Sequence, residues 1–143
     1  MTLKSILKYK PPGYIAVAPD ARVSEVVALL AEKHIGAVLV TENNRLVGIL
    51  SERDVVRSLA RNGGATLEMT AESLMTKDPN TATPSFTVAQ AMGMMTEGRF
   101  RHLPIIEDGA VTGLVSIGDV VKAVIEQSQQ EVESMRTYVA GAA

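Results

Sequence analysis

The sequence predicts an α/β (α+β) fold in which two tandem β-α-β-β-α units pack with pseudo-twofold symmetry, followed by a long C-terminal helix. Three observations predict it. The stretch "GILSERDVVRSL", Gly48 to Leu59, returns as "GLVSIGDVVKAV", Gly113 to Val124. Sliding the chain against itself by 65 residues gives nine identities over the 39 positions from Pro19 to Arg57 without a gap, the signature of an internal repeat. Within each copy the elements read in the same order, an amphipathic helix, a hairpin of two short apolar runs about a polar turn, and a second amphipathic helix.

The elements follow in chain order. Leu3, Ile6 and Leu7 suit a short helix stopped by Pro11 and Pro12, since proline clashes with a continuing helical turn. A short apolar segment, "YIAV", precedes Pro19, and the more polar "NTAT" precedes Pro84. After each proline comes an amphipathic helix, with Val23, Val26, Val27, Leu30 and His34 at three- and four-residue steps, then Val88, Ala91, Met92 and Met95 in the second copy. His34 on this stripe is expected to be packed or half-exposed, and Met92, Met94 and Met95 to fill core, with a share at a subunit contact. "AVLV–TENNR–LVGIL" and "LPII–EDGA–VTGLV" read as β-hairpins, the second around an Asp-Gly turn. The helices that follow are expected to turn Val55, Val56 and Leu59 inward in one copy, and Val120, Val121, Val124 and Ile125 in the other. Between the copies a Gly-Gly breaker and a short capped helix over Thr70 to Met75 form a connector.

The apolar spacing of the last helix continues through Ser128, Val132, Met135 and Val139, so it runs for about 20 residues, about 30 Å, and overshoots the domain. The chain accordingly divides into an N-terminal helix and linker (1–12), a first repeat (13–65), a connector (66–79), a second repeat (80–127) and a helical extension (128–143).

A chain of 143 residues with 46% apolar and 21% charged residues can bury one shared core, with no room for separate cofactor and substrate domains. The net charge of -2 and an aromatic content of 3% argue against nucleic acid, which needs cations for phosphate and rings for stacking. There is no cysteine, so disulfides and thiolate chemistry are excluded. No signal-peptide-like segment and no run of roughly 18 apolar residues is present, so a soluble, cytoplasmic protein without membrane attachment is expected. Two histidines and no cysteine do not assemble a nucleophile with a base or a metal cluster, so no enzyme is expected.

The repeated phrase has a plain reading. A serine followed three residues later by an acid is a capping box, and the preceding glycine would ease the strand-to-helix junction. The cap does not account for aspartate at the same place twice, where glutamate reaches back better. A helix N-terminus attracts anions, and a short carboxylate beside it can accept hydrogen bonds from ribose hydroxyls. A ligand with both phosphate and ribose fits both features.

The duplicated unit, with Gly-apolar-apolar-Ser-x-x-Asp after its hairpin, resembles the CBS domain, named for cystathionine β-synthase. Two in tandem resemble a Bateman module of the stand-alone two-domain type, over about Leu3 to Gln127. The resemblance implies clefts that take an adenosine nucleotide, AMP, ADP, ATP or NAD(H), with S-adenosylmethionine among the family's variants, as a regulatory ligand rather than a required cofactor. It carries phosphate and ribose contacts onto Ser51 and Asp54 in the first cleft and Ser116 and Asp119 in the second. The base would lie between the strand before the proline and the hairpin strand, at Val17, Gly36 and Ala37 in the first cleft. It further implies a homodimer through the helices, an unidentified effector protein that reads occupancy, and a role in energy sensing; the apolar stripe from Val121 to Val139 is expected to extend the dimer contact along the C-terminal helix. A ligand-free dimerisation scaffold with vestigial clefts is the alternative.

The copies differ around the clefts. "GRFRHLP" puts Arg99, Arg101, His102 and Pro104 where the first copy has His34, Gly36, Ala37 and Leu39. The plain reading of this stretch is an exposed cationic turn beside a buried hairpin; the functional one puts Arg101 and His102 in the second cleft against phosphate, beside the hydroxyls of Thr81 and Thr83. This makes the second cleft the favoured one. In the first cleft Arg53 at the helix start is expected either to serve phosphate or to form a surface pair with an acid, and the flanking Glu52 counts against that cleft.

Overall fold

The computed structural model of the chain describes residues 1–142. In the first repeat, β1 (Ala16–Val17) leads to α2 (Val23–Lys33), and the hairpin β2 (Ala37–Glu42) and β3 (Arg45–Ser51) leads to α3 (Glu52–Asn62). The second repeat matches it with α5 (Val88–Gly98), β5 (His102–Glu107), β6 (Ala110–Ser116) and α6 (Ile117–Ala142). The expected strand "NTAT" contracts to one parallel bridge, Ala82 to Ile105, because only Ala82 of that polar segment is buried. Both hairpins close through two residues of positive φ, Asn43–Asn44 and Asp108–Gly109, the turn whose twist suits paired strands. Both carry a register shift at the same place, Val40/Thr41 and Ile105/Ile106.

The two short leading helices exchange repeats. α1 (Leu3–Tyr9) precedes the first repeat in sequence, yet Leu3 and Ile6 are buried with Val88, Ala91, Met95 and Leu103 of the second. α4 (Ala71–Leu74), which follows the 3-10 turn Gly63–Glu68, packs Ala71 against Val26, Leu30, Val38 and Leu50 of the first. The crossings are tied alike: the Leu3 and Lys4 amides donate to Phe86 and Pro84 carbonyls, and the Ala71 and Glu72 amides to Ala21 and Pro19 carbonyls. The sequence carries this too, since "MTLKSI" (1–6) repeats as "MTAESL" (69–74), at an offset of 68 rather than 65.

After α4, β4 (Thr76–Lys77) pairs antiparallel with β3 and completes a sheet of order β1-β2-β3-β4 beside the two-stranded β5-β6 sheet. Ala37, Leu39 and Ile49 meet Val111 in a third core between the two sheets, so the halves are joined by apolar packing. The glycine of the repeated phrase serves this crossing rather than a junction. A Cβ on Gly48 would meet the Met75 thioether and stand 2.9 Å from the Thr76 carbonyl oxygen, and one on Gly113 would stand 2.8 Å from Leu7 Cδ2.

Several side chains expected inward face out. Val55 and Val120 are buried, whereas Val56, Leu59, Val121, Val124 and Ile125 are exposed. Val56 and Val121 lie 100° round the helix from the buried Val55 and Val120, whereas Leu59 and Val124 share the buried residues' face one turn farther along, beyond the reach of the core. His34 is exposed and ends α2 in the left-handed conformation (φ 54°), as Arg99 ends α5. Met95 fills core, Met94 is packed against it, and Met92 is exposed.

Candidate functional site

α3 begins at a complete capping box. The Ser51 amide donates to Asp54 Oδ2 at 2.9 Å, and the Asp54 amide donates to Ser51 Oγ at 3.4 Å. The Ser51 hydroxyl also donates to Asp54 Oδ2 at 3.0 Å, which fixes the carboxylate at the helix start. A cavity of about 360 Å³ opens in front of it. That lies at the lower end of the range for small-molecule pockets, roughly 300–1,000 Å³.

The wall opposite comes from the other repeat. Thr76 and Asp78 to Asn80, leaving α4, form one side, and Gly98 to His102, the turn between α5 and β5, forms another. The cavity is thus built by motif residues of one repeat and the lead-in and helix-strand turn of the other. Arg53 and Arg57 from α3 and Arg99 and Arg101 from the turn all line it. Arg53 Nη1 donates to the Arg99 carbonyl at 3.4 Å, linking the two walls. Among the described residues the only ion pairs are Lys10–Asp119 and Arg22–Glu68, so none of these four guanidinium groups has a carboxylate partner. His102 sits at the waist of the module, where a Cβ on Gly36 would come within 3.1 Å of its imidazole and 2.8 Å of Glu52 Oε1. Burial holds its pKa below the ordinary value, with Lys10 and Arg101 adding to the effect and Glu52 and Asp119 opposing it.

The second cleft has the same cap and a different occupant. The Ser116 amide donates to Asp119 Oδ2 at 2.8 Å, and the Asp119 amide to Ser116 Oγ at 3.1 Å. On the same carboxylate oxygen lies Lys10 Nζ at 2.6 Å, which also donates to the Leu114 carbonyl at 2.6 Å. Burial pushes the Asp119 carboxyl up, but the Lys10 ammonium and the Ser116 hydrogen bonds outweigh it and leave the pKa below the usual carboxylate value.

The expected site residues are therefore regrouped. Gly36, Ser51, Arg53 and Asp54, named for the first cleft, line one cavity, and Arg101 and His102, named for the second, line that same cavity. Ser116 and Asp119 stand apart from it, with Lys10. Thr81 and Thr83 are exposed, and the Thr83 hydroxyl is bonded to the Ser85 hydroxyl at 2.8 Å. Pro104 is buried in β5 and its carbonyl accepts from the Ala82 amide. Val17 pairs with Val40 in the sheet, and Ala37 is buried between the sheets. Arg57, Asp78 and Lys10 were not singled out by the sequence reading. The offset of 68 aligns Lys10 with Asp78 and Pro11 with Pro79, and would have drawn both segments to the clefts. Among the described residues no group of His, Cys, Asp and Glu could hold a metal ion, and no helix is long and apolar enough to cross a membrane.

The CBS domain family model matches residues 4–61 and 71–126. A mitochondrial CBS domain-containing protein of Arabidopsis thaliana is 33% identical over 97% of this chain and 70% of its own length. A CBS-domain containing protein of Agrobacterium tumefaciens superposes with a TM-score of 0.84, at 40% identity over 86% of this chain and 98% of that one. A CBS domain protein of Pyrobaculum aerophilum complexed with AMP superposes with a TM-score of 0.74, at 26% identity over 83% of this chain and 89% of that one. With both repeats matched and the fold held in common, the chain belongs to the CBS domain family and carries two CBS domains in tandem.

Proposed function

We propose that this chain is a regulatory module that binds an adenosine-containing nucleotide in the cavity of Ser51 and Asp54. The observation that carries the reading is the set of four guanidinium groups without a carboxylate partner around a helix N-terminus that also holds a fixed carboxylate. Asp54 accepts hydrogen bonds from the ribose hydroxyls. Arg53, Arg57, Arg99 and Arg101 take the phosphates, for which the guanidinium fork is suited. Phe100 and the 78–80 segment offer surface to the base. AMP bound to the Pyrobaculum relative supports an adenosine ligand. Because the walls come from different repeats, a ligand that touches both favours one arrangement of the halves, and an effector protein reads that arrangement.

Titration calorimetry with AMP, ATP and NADH on wild type, Asp54→Ala and Arg99→Ala tests the site. Binding weakened at least tenfold in both variants is expected. Arg99 is exposed and outside the cap, so its variant separates a lost contact from a damaged helix start. Equal affinities in all three proteins would overturn the assignment of the site to Ser51 and Asp54, and no binding in wild type would leave the ligand-free scaffold as the better reading.

A second reading concerns assembly. Val56 and Leu59 on α3 and Val121 and Val124 on α6 occupy matching positions and are all exposed, which supports a homodimer through these helices.

A further inference from the structure

Beyond the nucleotide site, α6 carries a second apolar stripe. Its first turns bury Val120 and pack Ala123 on the core, while every residue from Val124 to Gly141 is exposed. About 27 Å of helix thus stands clear of the module, and helices in proteins draw most of their stability from packing an apolar face, which this stretch does not do within its own chain. Its exposed apolar residues are spaced as a heptad. Val121, Ile125, Ser128, Val132, Met135 and Val139 follow alternating steps of four and three. Val132, Met135 and Val139 are 50%, 62% and 59% exposed. Ile125, Val132 and Val139 fall at position a, where β-branched residues favour two parallel strands, and Val121, Ser128 and Met135 fall at d.

The charges choose a direction. In a parallel pair, position g faces e′ of the next heptad, which sets Glu131 against Arg136 of a second copy. Antiparallel pairing of the same stripe would set Glu131 against Glu131 and Lys122 against Arg136, like charges in both cases. Parallel pairing also keeps both modules at one end of the coil, so the seam runs on into exposed Val121 and Val124.

We infer that the C-terminal half of α6 is a parallel, in-register two-stranded coiled coil between two copies of this chain. This rests on the homodimer proposed above and adds its seam and polarity.

The chain lacks cysteine, so one introduced thiol reports position without background. Under mild oxidation of the full chain, Met135→Cys should convert almost wholly to disulfide-linked dimer, and Gln130→Cys, on the outer face, should give little. Antiparallel pairing separates the two 135 positions by about 15 Å, beyond disulfide reach. A Met135→Cys chain that crosslinks only to Ile125→Cys would overturn the parallel seam. So would crosslinking at 135 no better than at 130 while light scattering still reports a dimer, and that outcome leaves the α3/α6 dimer standing. A monomer by scattering removes dimer and seam together. As an independent arm, Glu131→Arg should weaken dimerisation several-fold, and adding Arg136→Glu should restore it; no recovery overturns the Glu131–Arg136 register.

Discussion

In the first cleft Asp54 takes its side-chain hydrogen bonds from Ser51, and the cations near it are arginines without acid partners. In the second, Asp119 has the same cap and a lysine of its own chain at 2.6 Å. The difference comes from the crossing segments. Lys10 leaves α1 over the second repeat, and its counterpart Asp78 leaves α4 over the first, so one cleft receives a cation and the other an anion. A cation supplied by the fold satisfies the carboxylate that an outside hydroxyl would otherwise use. An acid at the matching position supplies no such cation, and among the described residues Asp54 has no ammonium or guanidinium ion-pair partner. Two clefts with the same repeated cap thus differ at a single register position, one closed by an internal ion pair and the other lined by arginines without acid partners.

The sharpest way to break this comparison is to remove each carboxylate in turn. A hydrogen bond to a charged group is worth about 1.5–3 kcal/mol, so Asp54→Ala should weaken nucleotide binding by roughly tenfold or more. Asp119→Ala should leave that affinity within about twofold, because its partner is Lys10. Calorimetry on the two variants reads the difference, and equal losses would show that the clefts act alike.

The glycines extend the contrast to stability. Gly48→Ala drives a methyl against the Thr76 backbone carbonyl and should cost about 1–3 kcal/mol, as overpacking does. Gly113→Ala meets only the end of the Leu7 side chain, which can swing aside, and should cost less than about 1 kcal/mol. Urea denaturation of both variants checks the order.

How far the sequence foretold this is itself a matter of registers. The offset of 65 locates both caps, both hairpins and the helix order, because binary pattern and turn chemistry are local. It says nothing of which repeat supplies the opposite wall. Arg101 and His102 belong to the second repeat, and they line the cavity of Ser51 and Asp54 where the two sheets pack together through Ala37, Leu39, Ile49 and Val111. The exposed Val56 and Val121 were hidden for a different reason: hydrophobicity marks a residue as needing burial without saying whether its own chain provides it.

Lys10→Met tests the internal ion pair. The pair is partly exposed, so its loss should cost only about 1 kcal/mol. Its signature is pH dependence. A carboxyl held below its unfolded pKa contributes stability that is present above that unfolded value and lost as pH falls through the folded one. Wild type should therefore lose more stability than Lys10→Met between about pH 5 and pH 3, in thermal melts across that range. With Asp119 freed, calorimetry should also count a second, weaker nucleotide per chain; a count of one would mean that Lys10 is not what closes the cleft.

The smallest expected effect belongs to His102, at the waist between the clefts. Burial keeps it neutral near pH 7, with Lys10 and Arg101 opposing its protonation and Glu52 and Asp119 favouring it. A phosphate brought into the cavity adds an anion and raises that pKa, so binding takes up a proton between the free and bound values. Affinity should then rise as pH falls from about 7.5 to 6, by less than tenfold per unit. The nucleotide's own phosphate titrates near pH 6, which makes the comparison with His102→Gln the measurement that counts. The variant should keep the phosphate's contribution and lose the rest, and superimposable profiles would place His102 outside the ligand's field.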